Sequence, residues 1–94
     1  MNKLSKGLKS LLFEIAGEQY RDLLIIALAW KSVVGELLSE RYKVVKFEKK
    51  TLFIEAVNHL WLQDFVLYKP MYLEKLRNET KLEIDNIIAM VKNR

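Results

Sequence analysis

The sequence contains no cysteine, one histidine, one proline and three glycines in 94 residues. Without cysteine the chain has no disulfides, no thiol nucleophile and no thiolate metal ligands. A zinc site would need an unusual carboxylate-rich shell around His59, and the sequence has no phosphate-binding glycine motif. We therefore expect a protein that is not an enzyme and that uses no metal or other cofactor.

Long apolar runs are also absent. The longest, residues 23–30, is far shorter than the ~20 residues that a membrane-spanning helix needs. The basic residues 1–9 are not followed by the apolar stretch of a signal peptide, so we expect a cytoplasmic protein. A chain that is 51% hydrophobic and 30% charged is typical of globular proteins. We expect one domain over residues 1–94, with an N-terminal helix in residues 1–18 and a core in residues 20–91.

Positive charge is concentrated in one short segment. Residues 41–50 alone carry a net charge of +4, which equals the net charge of the whole chain. Its cations are Arg41, Lys43, Lys46, Lys49 and Lys50, against the single acidic Glu48. Such a cluster favours an anionic partner such as nucleic acid, and these five side chains are our candidate DNA contacts. The alternative is a solvated hairpin whose lysines protect a sheet edge.

Apolar periodicity predicts two helices in the first half of the chain. The first covers residues 4–15 and stops at Gly17, and the second covers residues 20–39. Gly35 falls inside the second helix, where we interpret it as a point of close backbone packing. The predicted core face of the second helix consists of Leu23, Leu24, Ala27, Trp30, Val33, Val34, Leu37 and Leu38.

Two strands follow, at residues 42–47 and 52–57, joined by a turn at residues 48–51. If Phe47 faces Leu52, strict alternation assigns the two faces of this hairpin. The core face would hold Val45, Phe47, Leu52, Ile54 and Ala56, and the outer face Tyr42, Val44, Lys46, Phe53, Glu55 and Val57. Phe53 beside Lys46 makes the outer face a candidate partner surface, with ordinary cross-strand packing as the alternative.

A third helix is predicted to begin after Asn58, a good N-cap. Pro70 either kinks this helix or starts a new one. Trp61, near the helix start, is a candidate partner contact because a bulky ring there can be half exposed, with an ordinary place in the core as the alternative. Residues 82–91 predict a last strand whose apolar residues do not alternate cleanly. The order α-α-β-β-α-β indicates an α+β domain, with helices on one face of a three-stranded sheet.

Several of these landmarks together resemble one protein family. Trp30, Val33, Val34 and Gly35 form a W-x-x-V-V-G element, which is followed by a basic strand. The alternating strand at residues 52–56, the step from Asn58 to a helix-opening Trp61, and a branched-aliphatic last strand complete the pattern. This arrangement, over about residues 20–91, resembles the DciA family of bacterial replicative-helicase loaders.

The resemblance implies a fold similar to type II K-homology domains. It also implies a non-enzymatic protein that binds the DnaB-type replicative helicase hexamer and assists its loading onto single-stranded DNA. The GxxG loop of nucleic-acid-binding K-homology domains is absent, so we do not expect their mode of RNA recognition. The alternative function is a stand-alone nucleic-acid-binding domain without a helicase partner. The outer sheet face and the strand edges could equally form a homodimer.

Overall fold

The structure, a computed structural model, describes the backbone of residues 3–92 and the side chains of residues 20–92. Its elements are helix α1 (Lys3–Val34), strand β1 (Tyr42–Glu48), strand β2 (Thr51–Ala56), helix α2 (His59–Thr80) and strand β3 (Asn86–Val91). The strands form one sheet in the order β1-β2-β3, with β1 and β2 antiparallel and β2 and β3 parallel. A break inside α1 divides it into two helical segments. The predicted α+β class and the order α-α-β-β-α-β are therefore confirmed, and the arrangement is consistent with a K-homology-like fold.

Two glycines delimit the second segment of α1. Gly17 has φ 85° and ψ −178°, a combination essentially restricted to glycine, so the predicted helix stop is confirmed although helix resumes directly after it. Gly35 has φ 98° and ends the helix, with its amide donating to the Lys31 carbonyl at 2.8 Å. The interpretation of Gly35 as a close-packing residue is wrong, because a Cβ there would meet nothing within 4 Å. The position instead requires the left-handed conformation of a helix end.

The early end of α1 also corrects the predicted core face of this helix. Leu37 lies beyond the helix and is 78% exposed, while Leu38 begins a short 3-10 turn (Leu38–Glu40) and packs against the core. Ala27 is exposed, and its neighbour Ile26 is fully buried in its place. The face predicted for residues 4–15 lies outside the residues whose side chains are described.

The β1–β2 hairpin has the predicted turn but a different assignment of faces. Phe47 pairs with Leu52 as expected, yet the register shifts between Val44 and Lys46, so that Val45 is an extra residue in β1. This β-bulge reverses the alternation of the residues before it. Tyr42, predicted on the outer face, is fully buried, and Val45, predicted in the core, is 40% exposed.

Val44 also moves to the core side, where it packs against the buried cluster. The assignments of Phe47, Leu52, Ile54 and Ala56 to the core and of Lys46 to the exposed face are confirmed.

Helix α2 begins as predicted at the Asn58 cap, whose side-chain oxygen accepts from the Trp61 amide at 3.0 Å. Pro70 lies inside the helix and does not divide it. The hydrogen bond that Pro70 cannot make would have reached the carbonyl of Val66. Val66 is 58% exposed, so water can hydrate this part of the helix instead.

The connection from α2 to β3 places the last strand parallel to β2. Lys81 takes the left-handed conformation at the end of α2 and donates its amide to the Arg77 carbonyl. The Arg77 Nε then donates to the carbonyl of Ile84 at 2.8 Å, which ties the connecting segment to the helix. The strand predicted over residues 82–91 is therefore too long. Buried Ile84 belongs to the connection, and β3 itself starts at Asn86 and alternates regularly.

The core lies between the sheet and the two helices, with Tyr42 at its centre. The Trp30 Nε1 donates to the Tyr42 carbonyl, and the Tyr42 hydroxyl donates to the Trp61 carbonyl, each at 2.9 Å. One residue of β1 thus links α1 to α2. Burial raises the pKa of Tyr42 to about 12, with nearby Asp64 adding to the rise, so the hydroxyl keeps its proton and remains a donor.

In the described part of the chain, no helix combines the length and the apolar character that crossing a membrane requires.

Candidate nucleic-acid and partner interface

The five predicted DNA contacts form a stripe along β1 rather than a compact patch. Arg41 immediately precedes β1, and the pair Lys49 and Lys50 forms the turn that follows it. At about 3.4 Å per residue, the two ends of this basic stripe lie roughly 25 Å apart. Lys43 and Lys46 project between them, and all five cations are exposed. The stripe therefore has the shape of a track for an extended anionic chain.

Lys46 lies in the middle of the basic stripe and contacts both an aromatic ring and a carboxylate. Its Nζ lies 4.9 Å from the centroid of the Phe53 ring and 3.1 Å from the Glu48 Oε1. Lys46 and Phe53 are directly paired across the hairpin, which confirms that they lie side by side. A cation above a ring is attracted to its π face, and the arrangement keeps the charge at the surface.

The hairpin turn presents its two lysines in strained conformations. Lys49 and Lys50 both have positive φ, at 52° and 61°. Two-residue turns of this kind normally carry Asn-Gly, because left-handed backbone is costly for other residues. Strained backbone conformations are concentrated at functional sites, so the strain favours a function that needs positive charge at this tip.

Two carboxylates reduce the positive charge of the basic stripe, Glu48 at Lys46 and Glu83 at Lys50. The Lys50 Nζ lies 2.6 Å from the Glu83 Oε1, and this hydrogen bond raises the pKa of Lys50 and lowers the pKa of Glu83. Glu55 is the Cα partner of Lys43 across the hairpin, but in the part of the chain that the structure describes these two side chains form no ion pair. Within the described residues, Lys49 makes no ion pair, so it is the most available cation at the hairpin tip.

Trp61 is half-buried at the opposite end of β1. Its ring packs edge-on against Tyr42, and the Arg41 guanidinium lies 5.4 Å from its centroid. The neighbouring Leu60 is 76% exposed and Val57 is 39% exposed. We call Arg41, Val57, Leu60 and Trp61 the end patch. It combines a tryptophan and an arginine, two residue types enriched among the anchors of protein interfaces, with two exposed aliphatic side chains.

The outer face of the sheet carries a second apolar group, centred on Phe53. Phe53 pairs with Ile88 of β3, and Glu55 with Met90. Ile88 and Met90 are 40% and 39% exposed, so the face opposite the helices is apolar toward β3 and basic toward β1. The sequence did not single out Ile88 or Met90, because their position beside Phe53 follows from the parallel pairing.

Comparison with known families identifies the chain. A family described as Dna[CI] antecedent, DciA, matches residues 3–88, nearly the whole sequence. The chain belongs to the DciA family. The resemblance inferred from the tryptophan, valine and glycine landmarks is thereby confirmed. No curated protein matches the chain.

Membership of the DciA family implies a role with the DnaB-type replicative helicase in DNA replication. DciA proteins are loaders, a non-enzymatic type of factor. The family match does not assign individual residues, so the basic stripe, Phe53 and Trp61 stay predictions. The end patch adds Val57, which the sequence placed on the outer face of the hairpin, and Leu60, which only its exposure in the structure reveals.

Proposed function

We propose that this chain binds the DnaB-type replicative helicase in the cytoplasm and assists its loading onto single-stranded DNA, without catalysing a reaction. The DciA family match over residues 3–88 carries the proposal. A loader of this kind acts by binding an open, DNA-accessible form of the hexamer more tightly than the closed form. That differential affinity shifts the hexamer toward the form that admits DNA.

For the helicase contact we propose the end patch, with Phe53 as a second candidate. Leu60 is an exposed leucine beside a half-buried tryptophan, and burying both in an interface would remove apolar surface from water. Arg41 beside them can pair with a carboxylate of the partner, and its stacking on Trp61 holds it in place.

For DNA we propose weak binding without sequence preference along the basic stripe. Lysine contacts to phosphates position a nucleic acid and carry no sequence information. We expect Lys43 and Lys49 to contribute most, because Glu48 and Glu83 partly neutralise Lys46 and Lys50. The strained lysines of the hairpin tip support this assignment.

The helicase contact is tested by size-exclusion chromatography with light scattering on a mixture of the chain and the host helicase. We expect a defined complex that survives moderate salt. Leu60→Glu should weaken the complex at least about tenfold, as expected of an interface anchor. Leu67→Glu is the matched control, because Leu67 is 75% exposed on the same helix, two turns away.

If both glutamate variants bind like the wild type, the end patch is not the contact and Phe53→Ala becomes the decisive variant. If the wild type forms no complex at micromolar concentration in low salt, the loader function is wrong. Binding of single-stranded DNA without any helicase complex would then support the alternative, a stand-alone nucleic-acid-binding domain.

The DNA contact is tested by the fluorescence anisotropy of a labelled single-stranded oligonucleotide over a range of salt concentrations. Each phosphate contact contributes about −0.7 to the slope of log affinity against log salt. Lys49→Ala should reduce this slope by roughly that amount, and Lys75→Ala on α2 should not. Glu83→Gln should strengthen binding, because it releases Lys50. An unchanged slope in Lys49→Ala would remove the hairpin tip from the DNA site.

A further inference from the structure

The outer edge of β3 has no strand beside it in the described part of the chain. In a parallel ladder, every second residue directs its N–H and its C=O toward the neighbouring strand. The residues between them direct both groups to the opposite side. The amide of Lys92 donates to the Ala56 carbonyl at 2.9 Å, which fixes the phase of this ladder. Ile87, Ala89 and Val91 therefore direct their N–H and C=O groups away from β2. Among the described residues, no hydrogen bond reaches these outward groups.

This edge also lacks the features that normally prevent strand addition. Asn86–Val91 contains no charged residue and no proline, and its register with β2 shows no bulge. Ile88 and Met90 add exposed apolar side chains on the outer face. A regular, uncharged edge of this kind recruits another strand.

The charges at the two ends of β3 indicate which strand fits. Asp85 precedes the strand and Lys92 follows it, and both are exposed. A second copy aligned antiparallel brings Lys92 of one chain near Asp85 of the other, at both ends of the pairing. A parallel alignment would instead bring like charges together. The edge is thus electrostatically complementary to itself, which is the requirement for a two-fold interface.

One antiparallel register pairs the outward backbone groups of the two copies and also brings their exposed apolar side chains together. If Ala89 faces Ala89 of the second copy, Ile87 lies opposite Val91, and the outward groups of these residues bond to each other. Ile88 of each chain then lies opposite Met90 of the other on the outer face, in a non-hydrogen-bonded pair where side chains approach most closely. We propose that two copies of this chain dimerise through antiparallel β3 strands around Ala89, which joins their sheets into one.

This dimer goes beyond helicase loading and does not depend on it. It would place the apolar groups around Phe53 of both copies on one continuous sheet face. The two basic stripes would lie at the far edges of that sheet, because β1 is the opposite outer strand.

Light scattering of the full chain, without helicase or DNA, tests the association. We expect a mass that rises with concentration toward twice the 11.1 kDa of one chain. A mass of one chain at all concentrations up to the millimolar range would overturn the proposal. It would leave the edge available to a strand of another protein.

Two double variants separate specific pairing from a general loss of apolar surface. Ile88→Lys with Met90→Lys places like charges opposite each other in the dimer. Ile88→Glu with Met90→Lys removes the same side chains but places opposite charges there. The Lys/Lys variant should have a dimer dissociation constant at least about tenfold higher than the Glu/Lys variant. Equal association of the two variants would exclude this interface.

Cysteine cross-linking tests the register and uses the natural absence of cysteine as a clean background. Non-hydrogen-bonded partners have Cα atoms about 4.5 Å apart, within the range of a disulfide. A mixture of Ile88→Cys and Met90→Cys chains should therefore oxidise to the mixed dimer in preference to either homodimer. Preferential cross-linking of Ile88→Cys to itself would overturn the register around Ala89.

Discussion

The two outer strands of the sheet, β1 and β3, differ in charge and in the regularity of their pairing with β2. β1 carries Lys43, Lys46 and Glu48 and is interrupted by the bulge at Val45. β3 is uncharged and pairs with β2 in an unbroken register. Charges and bulges are the usual means of keeping an edge from pairing with other strands. Only β1 has them, so the same sheet is suited to an anionic partner at one edge and to strand addition at the other.

The largest expected effect tests the bulge at Val45 in β1, which buries Tyr42 and exposes Val45. Tyr42→Ala should lower the free energy of unfolding by about 3–5 kcal/mol, since it leaves a cavity where a fully buried aromatic side chain stood. Val45→Ala should cost less than about 0.5 kcal/mol, because Val45 is substantially exposed. Urea denaturation of both variants measures the difference. A regular β1 without a bulge would reverse the order of the two losses.

A smaller effect should distinguish neighbouring positions in β3. Ile88→Pro removes an amide that donates to β2 and should cost roughly 2–3 kcal/mol through the lost bond and backbone strain. Ala89→Pro removes an amide that points outward and should cost about 1 kcal/mol or less, since proline is tolerated on the free side of an edge strand. Denaturation should be measured where light scattering shows monomers. The reverse order, with Ala89→Pro the costlier change, would mean that the ladder has the other phase.

The smallest expected effect lies at the hairpin tip. Replacing Lys49 and Lys50 by Asn-Gly should raise the free energy of unfolding by about 1 kcal/mol, because these residues accept left-handed backbone at lower cost. The same change should weaken binding to single-stranded DNA. The control is Lys49→Ala with Lys50→Ala, which removes the charges but keeps the strain. It should lose DNA affinity without gaining stability, and a matching gain would show that strain is not the cause.

The element order was predictable from the sequence because its signals are local. Asn58 caps a helix, the Lys49–Lys50 pair separates two alternating runs, and Gly17 interrupts an apolar period. The bulge was not predictable, because Val44 and Val45 are both valine and alternation cannot reveal which is the extra residue. The helix end at Gly35 was not predictable, because Leu37 and Leu38 continue the helical spacing beyond it.

The candidate site was predictable only in part, for a related reason. The cations of the basic stripe are contiguous in sequence, so their cluster is visible without a structure. Glu83 and Ile88 reach this surface through the parallel pairing of β3 with β2. No short-range pattern in the sequence indicates such a contact. The balance of charge and apolar surface at the site therefore depends on topology.

The two tryptophans occupy environments different enough to act as separate optical probes. Trp30 is almost fully buried and is held by the Tyr42 carbonyl, so its emission follows the integrity of the core. Trp61 is half-buried beneath Arg41 at the end patch, where an arriving partner changes its surroundings. With Trp30→Phe as the background, the fluorescence of the remaining indole reports events at that end of the molecule. The chain thus carries a native sensor for docking, and no attached dye is required.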